Sequence, residues 1–334
     1  MDIITLAHGS GGKKTHDLIN KIFYRHFNNE ILMQQGDSSI IENIGGKIAV
    51  TTDSYVINPI FFPGGDIGKL SICGTVNDLA VSGAIPLYIT VGFIMEEGLE
   101  IKDLERIVIS MAEAAERCGV KIIAGDTKVV ERGKGDKIYI NTTGIGVFEN
   151  DLDLTGVRIK VGDKIIVSGT LGDHGITILC EREELNFESQ IKSDCNSLHL
   201  LIKDILKTSK DVKFIRDITR GGLSTTLKEI MQGKEMSIVL HKKDIPIRED
   251  VSAICEILGF DPLYIANEGK LVLIVSEDNA NKVIQTMRNN PLGKNAAVVG
   301  EIVKDKGGKV YLKTEINGTR TLDMIEEDLI PRIC

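Results

Sequence analysis

A strand pattern (PLYITVGFI), a long helical pattern from Ile101 to Cys118 that stops at Gly119, and two more strand patterns (KIIAG and KIYINTTGIGVF) follow one another closely. Apolar residues at helical spacing make a stripe that must be buried against another element, and glycine just past the last periodic residue ends such a helix. This run commits the chain to helices packed on a sheet. Ahead of it stand a helical pattern over residues 15–27, with Leu18, Ile19, Ile22 and Phe23 on one stripe, a strand KIAVTT ending at Asp53, and a helix-like stretch from Ile67 to Val81. Strands alternate with helices, yet several strands are also neighbours in sequence. The expected class is therefore α/β (α+β) with mixed sheets.

At 334 residues the chain exceeds the size at which one core keeps growing. The polar, turn-rich NDLDLTGVRIKVGD marks a boundary, giving an N-terminal domain over 1–150. A second α/β domain over 151–317 carries KIIVSG, MSIVL, KLVLIVS, AAVVGEIV and KVYL, with helices near 196–206, 223–231 and 278–288. Residues 318–334 read as a mobile tail. Proline at 331 favours an extended tip, and the stretched tail would reach at most roughly 50 Å. It ends on Cys334.

A net charge of −8 without a lysine or arginine stripe argues against nucleic acid as partner. No apolar run approaches the roughly 20 residues that span a bilayer, and the start does not read as a signal peptide, so a cytoplasmic protein is expected. Six scattered cysteines, at 73, 118, 180, 195, 255 and 334, show no zinc-type spacing. The first five read as small core residues. Cys334 is neither in such a stretch nor at a prenylation position.

Several stretches carry chemistry. HGSGGKK, residues 8–14, fails the Walker pattern, yet its glycines and lysines suit either a cover over anionic groups or a simple mobile loop. Asp37, Asp53, Asp66, Asp78 and Asp126 each sit beside small residues at a strand end or turn. Any one of them alone is a turn former or helix cap; five in one domain, without zinc ligands, suit a Mg-nucleotide site. Lys128 shares one side of an extended segment with Asp126. His174 in GDHG reads as an exposed imidazole at a helix start. Arg216, Asp217, Arg220 and the pair Gly221-Gly222 read as an anion site or as a salt-bridged turn. Glu268 in NEGK is either a turn residue or a general base.

Together, HGSGGK, TTDSYVINPIFFPGGDIGKL, GTVNDLAVSGA, GDTKVV, SGTLGDHG, RDITRGG, NEGK and a terminal PRIC resemble the HypE family of hydrogenase maturation factors. That family lies within the ATP-binding superfamily of aminoimidazole ribonucleotide synthetase (PurM) and selenophosphate synthetase. The resemblance runs from near residue 8 to the last residue. It implies a two-domain PurM-like fold, with N-terminal domains pairing in a homodimer. The activity implied is ATP-dependent dehydration of a thiocarbamate on Cys334 to a thiocyanate, supplying cyanide ligands for [NiFe]-hydrogenase. The implied partners are the carbamoyltransferase HypF, which loads the thiol, and a HypC–HypD complex as cyanide acceptor.

By the same resemblance, Asp37, Asp53, Asp78 and Asp126 hold Mg²⁺, and Gly9, Gly11, Gly12 and Lys13 form a lid over ATP. Asp66, Asn77 and Thr127 join the nucleotide set, and Lys128, His174 and Glu268 contact or deprotonate the thiocarbamate. Arg332 would favour the Cys334 thiolate. One departure is Ser38, where many superfamily members carry a second aspartate, which leaves one metal ligand fewer. Two other readings are an ATP-dependent synthetase or kinase of the same superfamily acting on a diffusible small molecule, and a non-enzymatic carrier presenting a thiol.

Overall fold

The computed structural model describes residues 2–34, 38–42, 45–150, 152–182, 190–316, 318–325, 330 and 332–334. After α1 (Lys13–Leu18) and a wide helical turn over Ile19–Tyr24 come β1 (Ile48–Tyr55), a short hairpin of β2 (Phe61–Phe62) and β3 (Gly65–Asp66), and α2 (Ile67–Val81). Then follow β4 (Ile85–Glu96), α3 (Ile101–Cys118), β5 (Lys121–Val130) and β6 (Ile138–Val147). The four long strands form one sheet in the order β1-β6-β4-β5, in which β4 and β5 are parallel neighbours joined by α3. Gly119, at φ 69°, closes α3 in the left-handed conformation that glycine adopts without strain.

The strand period of two gives this sheet two unlike faces. Val91, Phe93 and Met95 of β4 are buried in the main core with Leu70, Val76, Leu104, Ile107 and Met111 of α2 and α3. The opposite face leaves Ile48, Val50 and Ile94 exposed. Helix α2 is buried around its circumference, as expected of a helix enclosed by layers on all sides.

The second half supplies β7 (Lys164–Val167), α4 (Asp173–Glu181), α5 (His199–Thr208), β8 (Val212–Asp217), α6 (Gly222–Met231), β9 (Ser237–His241) and α7 (Glu249–Leu258). It continues with β10 (Leu271–Val275), α8 (Glu277–Arg288), β11 (Ala297–Val303), β12 (Val310–Lys313) and β13 (Thr319–Leu322). The sheet order is β13-β12-β9-β11-β7-β10-β8. Along β10, Val272 and Ile274 face a core shared with Leu223, Leu227 and Met231 of α6. Leu271, Leu273 and Val275 face one shared with α5 and α8. Covered on both sides, β10 reads as the unbroken apolar run LVLIV.

The patterns at 67–81 and 101–118 coincide with α2 and α3. Strand β8 has no clean sequence signal, because Lys213 within it is buried and paired with buried Asp163 at 2.6 Å. The reading of a tail from residue 318 needs correction. Thr319–Leu322 pairs with β12, so the segment beyond the sheet begins at Asp323.

Candidate active site

Two centres emerge. In the first, the 9–15 segment lies on β5. A Cβ on Gly9 would stand 2.7 Å from Val129 N, so only glycine lets the loop approach that strand. The Gly11 amide donates to Thr15 Oγ1 at 3.0 Å, which fixes the loop on α1. Beneath it is a cavity of about 480 Å³, lined by Gly9, Ser10, Gly11, Ile19, Phe23, Phe27, Ser38, Ser39 and the β5 run Ile122–Lys128. Apolar walls with a polar rim at a glycine loop suit a base and its phosphates. Asp126, Thr127 and Lys128 all line it, while Gly12 and Lys13 open α1 beside it.

The second centre lies where α2 meets β8. Asp53 of β1, Asp78 and Thr75 of α2, Asp217 of β8 and Glu268 come close enough to act on one another, and the Arg220 charge acts on Asp53 and Glu268. Burial, followed by the Asp78 charge, pushes Asp53 up to about 6, against weak bonds from Tyr55 and Thr75 at 3.4 Å. Burial, followed by the charges of Asp78 and Asp53, pushes Asp217 up to about 7. Asp78 Oδ2 accepts from Thr51 Oγ1 at 2.8 Å. Glu268 is held well above the usual carboxylate range by burial and by the Asp194 and Asp217 charges, and its Oε1 is buried without a hydrogen-bond partner among the described residues.

The four aspartates expected to hold one cation are not together. Asp37 lies outside the described residues. Asp53 faces Thr142, which faces Val91, which faces Gly125 beside Asp126; Asp53 and Asp126 are thus three strands apart, about 14 Å. Neighbours along a strand point to opposite faces, so Asp126 and Lys128 also project from the open face, away from α2. Among the described residues no group of three or more His, Cys, Asp or Glu side chains is arranged to hold a metal. The Asp53–Asp78 pair still fits a hard divalent cation that draws its other ligands from phosphate and water, and such a charge would relieve the repulsion that raises Asp53.

Two residues expected at the nucleotide are engaged structurally. Asp66 caps α2, accepting from the amides of Gly68 (2.7 Å) and Lys69 (3.1 Å). Asn77 ties α2 to the second half: its Oδ1 accepts the Leu198 amide at 2.7 Å and its Nδ2 donates to Asn196 O at 3.0 Å.

The bound segment also carries Asp194, which sequence reading missed. Its carboxylate accepts the amides of Glu268 (3.0 Å) and Gly269 (3.3 Å) and the Lys270 ammonium (3.1 Å), clamping the NEGK turn. A Cβ at Gly269 would overlap the Asp194 carbonyl, which is why the turn carries glycine.

His174, expected exposed, is fully buried. It stands edge-on to Phe62, with ring centroids 5.6 Å apart, and its Nε2 lies 2.8 Å from Ile333 O. The chain end is docked here: Ile330 and Ile333 are buried, and Cys334 is half-buried against the same core. The Arg332 guanidinium pairs with Asp136 at 3.0 Å.

Residues 35–148 match the family described as AIR synthase related protein, N-terminal domain, and residues 160–313 match its C-terminal domain. Carbamoyl dehydratase HypE of Azotobacter vinelandii is 46% identical over 331 residues, covering 99% of this chain and 97% of that protein. The chain belongs to the HypE family. A crystal structure of hydrogenase maturation protein HypE in complex with ATP superposes with a TM-score of 0.94 at 45% identity, covering 98% of this chain and 99% of that one. HypE in a HypE–HypF complex superposes at 0.80 with 43% identity, covering 92% and 99%. The HypE likeness therefore runs over nearly the whole chain. No described helix is long and apolar enough to cross a membrane.

Proposed function

We propose that this protein is an ATP-dependent carbamoyl dehydratase whose substrate is its own last residue. The observation that carries the reading is the docked C-terminus: a chain belonging to the HypE family folds its terminal thiol against the core that adjoins an orphaned buried glutamate. HypF loads Cys334 as the thiocarbamate S–C(=O)–NH₂. The γ-phosphoryl group of ATP then passes to the carbonyl oxygen as one N–H proton is removed, and phosphate departs with that oxygen as the second N–H proton is lost, leaving S–C≡N, ADP and phosphate.

The residues divide this work. Gly9, Gly11, Thr127 and Lys128, which line the β5 cavity, would surround the nucleotide with Gly12 and Lys13 from the start of α1, and positioning and charge neutralisation supply most of phosphoryl-transfer catalysis. Asp53 and Asp78 would hold Mg²⁺, which supplies positive charge to the phosphates. Glu268 is the base for the N–H proton: burial makes its ionised form strongly basic, and Arg220 favours that form. Asp126 takes no part in the Asp53 centre of its own chain.

The open sheet face pairs two copies as a homodimer, which sets the Asp126–Lys128 edge at the interface. The domains are 1–150 and 151–322, and the segment after β13 leaves its docked position to meet HypF and then a HypC–HypD cyanide acceptor in the cytoplasm. The test is ADP formation in a single turnover. ADP should appear from carbamoylated wild type and not from a Cys334→Ala chain. Equal turnover by both with a small metabolite would favour a diffusible substrate.

A further inference from the structure

The last two peptide carbonyls before Cys334 are both claimed by donors from elsewhere in the chain. Arg332 O accepts the Asn58 amide at 3.2 Å and Arg182 Nη2 at 3.1 Å. Ile333 O accepts His174 Nε2–H at 2.8 Å. A carbonyl can only accept, so the imidazole proton there sits on Nε2. His174 Nδ1 lies 2.8 Å from Ser193 Oγ, and that oxygen in turn accepts the Cys195 amide at 3.1 Å. With its amide contact received at the oxygen, the Ser193 hydroxyl donates to Nδ1. Both ring nitrogens are thereby committed, and neither has a lone pair or proton to spare for substrate while the end is docked.

The side chains are read as well. A Cβ at Gly175, one residue past the histidine, would meet Ile265 Cγ2 at 2.5 Å, Ile333 Cδ1 at 3.3 Å and Ile330 Cδ1 at 3.4 Å, so glycine there makes room for both tail isoleucines. Ile57 and Ile333 form a one-residue antiparallel bridge. Arg182 Nε also donates to Asn58 O at 3.1 Å, joining the two halves of the grip. Arg332 is held at φ 55°, a left-handed conformation that a non-glycine residue keeps only when its surroundings impose it.

We propose that His174, with Ser193, Arg182 and the Asn58 amide, forms a latch that grips the backbone of Arg332 and Ile333, and that His174 is a positioning residue for Cys334 and not a carrier of its proton. The latch joins the two halves of the molecule, since Ile57, Asn58 and Asp136 come from the first and His174 and Arg182 from the second. It recognises main chain and two isoleucines, all of them ahead of the group that changes from thiol to thiocarbamate to thiocyanate. The catalytic part of this inference rests on the dehydratase reading.

The test has two arms on the full-length protein, comparing wild type with His174→Ala, His174→Gln and Arg182→Ala. The first arm follows alkylation of Cys334 by N-ethylmaleimide, read on the C-terminal peptide by mass spectrometry, and needs no carbamoyl chemistry. Losing a grip on a docked end should raise the rate about tenfold in the alanine variants. Glutamine, which still offers an N–H, should lie between. The second arm loads Cys334 with HypF and carbamoyl phosphate, removes nucleotide, adds Mg-ATP and follows loss of water against pH. Expected are unimpaired loading, dehydration about tenfold slower in His174→Ala, partial rescue in His174→Gln, and an unchanged pH profile. Equal alkylation in wild type and the exposed-site variant Arg182→Ala would overturn the latch, even if His174→Ala fails to fold. A glutamine variant as slow as alanine, with a limb of the pH profile lost, would make His174 a proton carrier. Wild type that loads but never loses water would overturn the dehydratase reading and leave the alkylation result standing on its own.

Discussion

Asp194 Oδ1 accepts the backbone amide of Glu268 at 3.0 Å, and the Asp194 charge is the largest charge effect raising the Glu268 carboxyl. One side chain thus places the turn and tunes the acid on it. If Glu268 removes the N–H proton, the dehydration rate should rise with pH as Glu268 ionises. Asp194→Asn removes the repelling charge, so Glu268 should ionise at lower pH and the profile should move toward acid. Single-turnover dehydration of preloaded protein across pH checks this. A profile that stays in place would remove Glu268 from the role of base.

Asp217 gives a stability prediction with a definite sign. Its folded pKa, about 7, stands above the ordinary 3.8, so the folded state holds the proton more tightly than the unfolded chain. Its contribution is therefore full below about pH 4 and is lost as pH rises through about 7, worth about 4 kcal/mol at most. Asp217→Asn cannot ionise. Thermal melts of the nucleotide-free protein should show the wild type losing ground to this variant between pH 5 and 8, whereas parallel curves would contradict the burial argument.

At the glycine loop, Gly9→Ala places a methyl against Val129, whose backbone nitrogen and β-branched side chain cannot give way. The loop must lift off β5. ATP binding measured by calorimetry should weaken about tenfold while the melting temperature changes little, because the loop is half-exposed and peripheral to the main core.

The open face of the β1-β6-β4-β5 sheet shows Val50 at 62% and Ile48 at 50% exposure, more apolar surface than an uncovered strand usually presents. Val50→Glu should convert a dimer to a monomer in light scattering coupled to size exclusion. An unchanged mass would place the dimer contact elsewhere or remove it.

How much of this the sequence made legible follows from the range of each interaction. Helix α3 was readable because its stripe and its Gly119 stop are local. Helix α7 (Glu249–Leu258) escaped notice although Gly259 stops it in the same way, for its apolar positions are fewer. The aspartates at strand ends were visible as a series. Their division into two centres was not, since it depends on strand order, which places β6 and β4 between Asp53 and Asp126. His174 looked exposed because its neighbours in GDHG are polar or small. What buries it, Phe62, Ser193 and Ile333, lies far away in sequence. Asp194, in the otherwise plain KSDCN, had no local signal; its only mark is a carboxylate that the Glu268 turn needs.

The most direct test of the account is the intact mass of the protein, taken after HypF with carbamoyl phosphate, then after nucleotide removal, then after Mg-ATP is restored, beside Cys334→Ala. The account predicts a gain of about 43 Da on wild type alone, followed by a loss of about 18 Da only when ATP returns, both mapping to Cys334. A Cys334 that stays unmodified while the protein hydrolyses ATP with a small metabolite would contradict it.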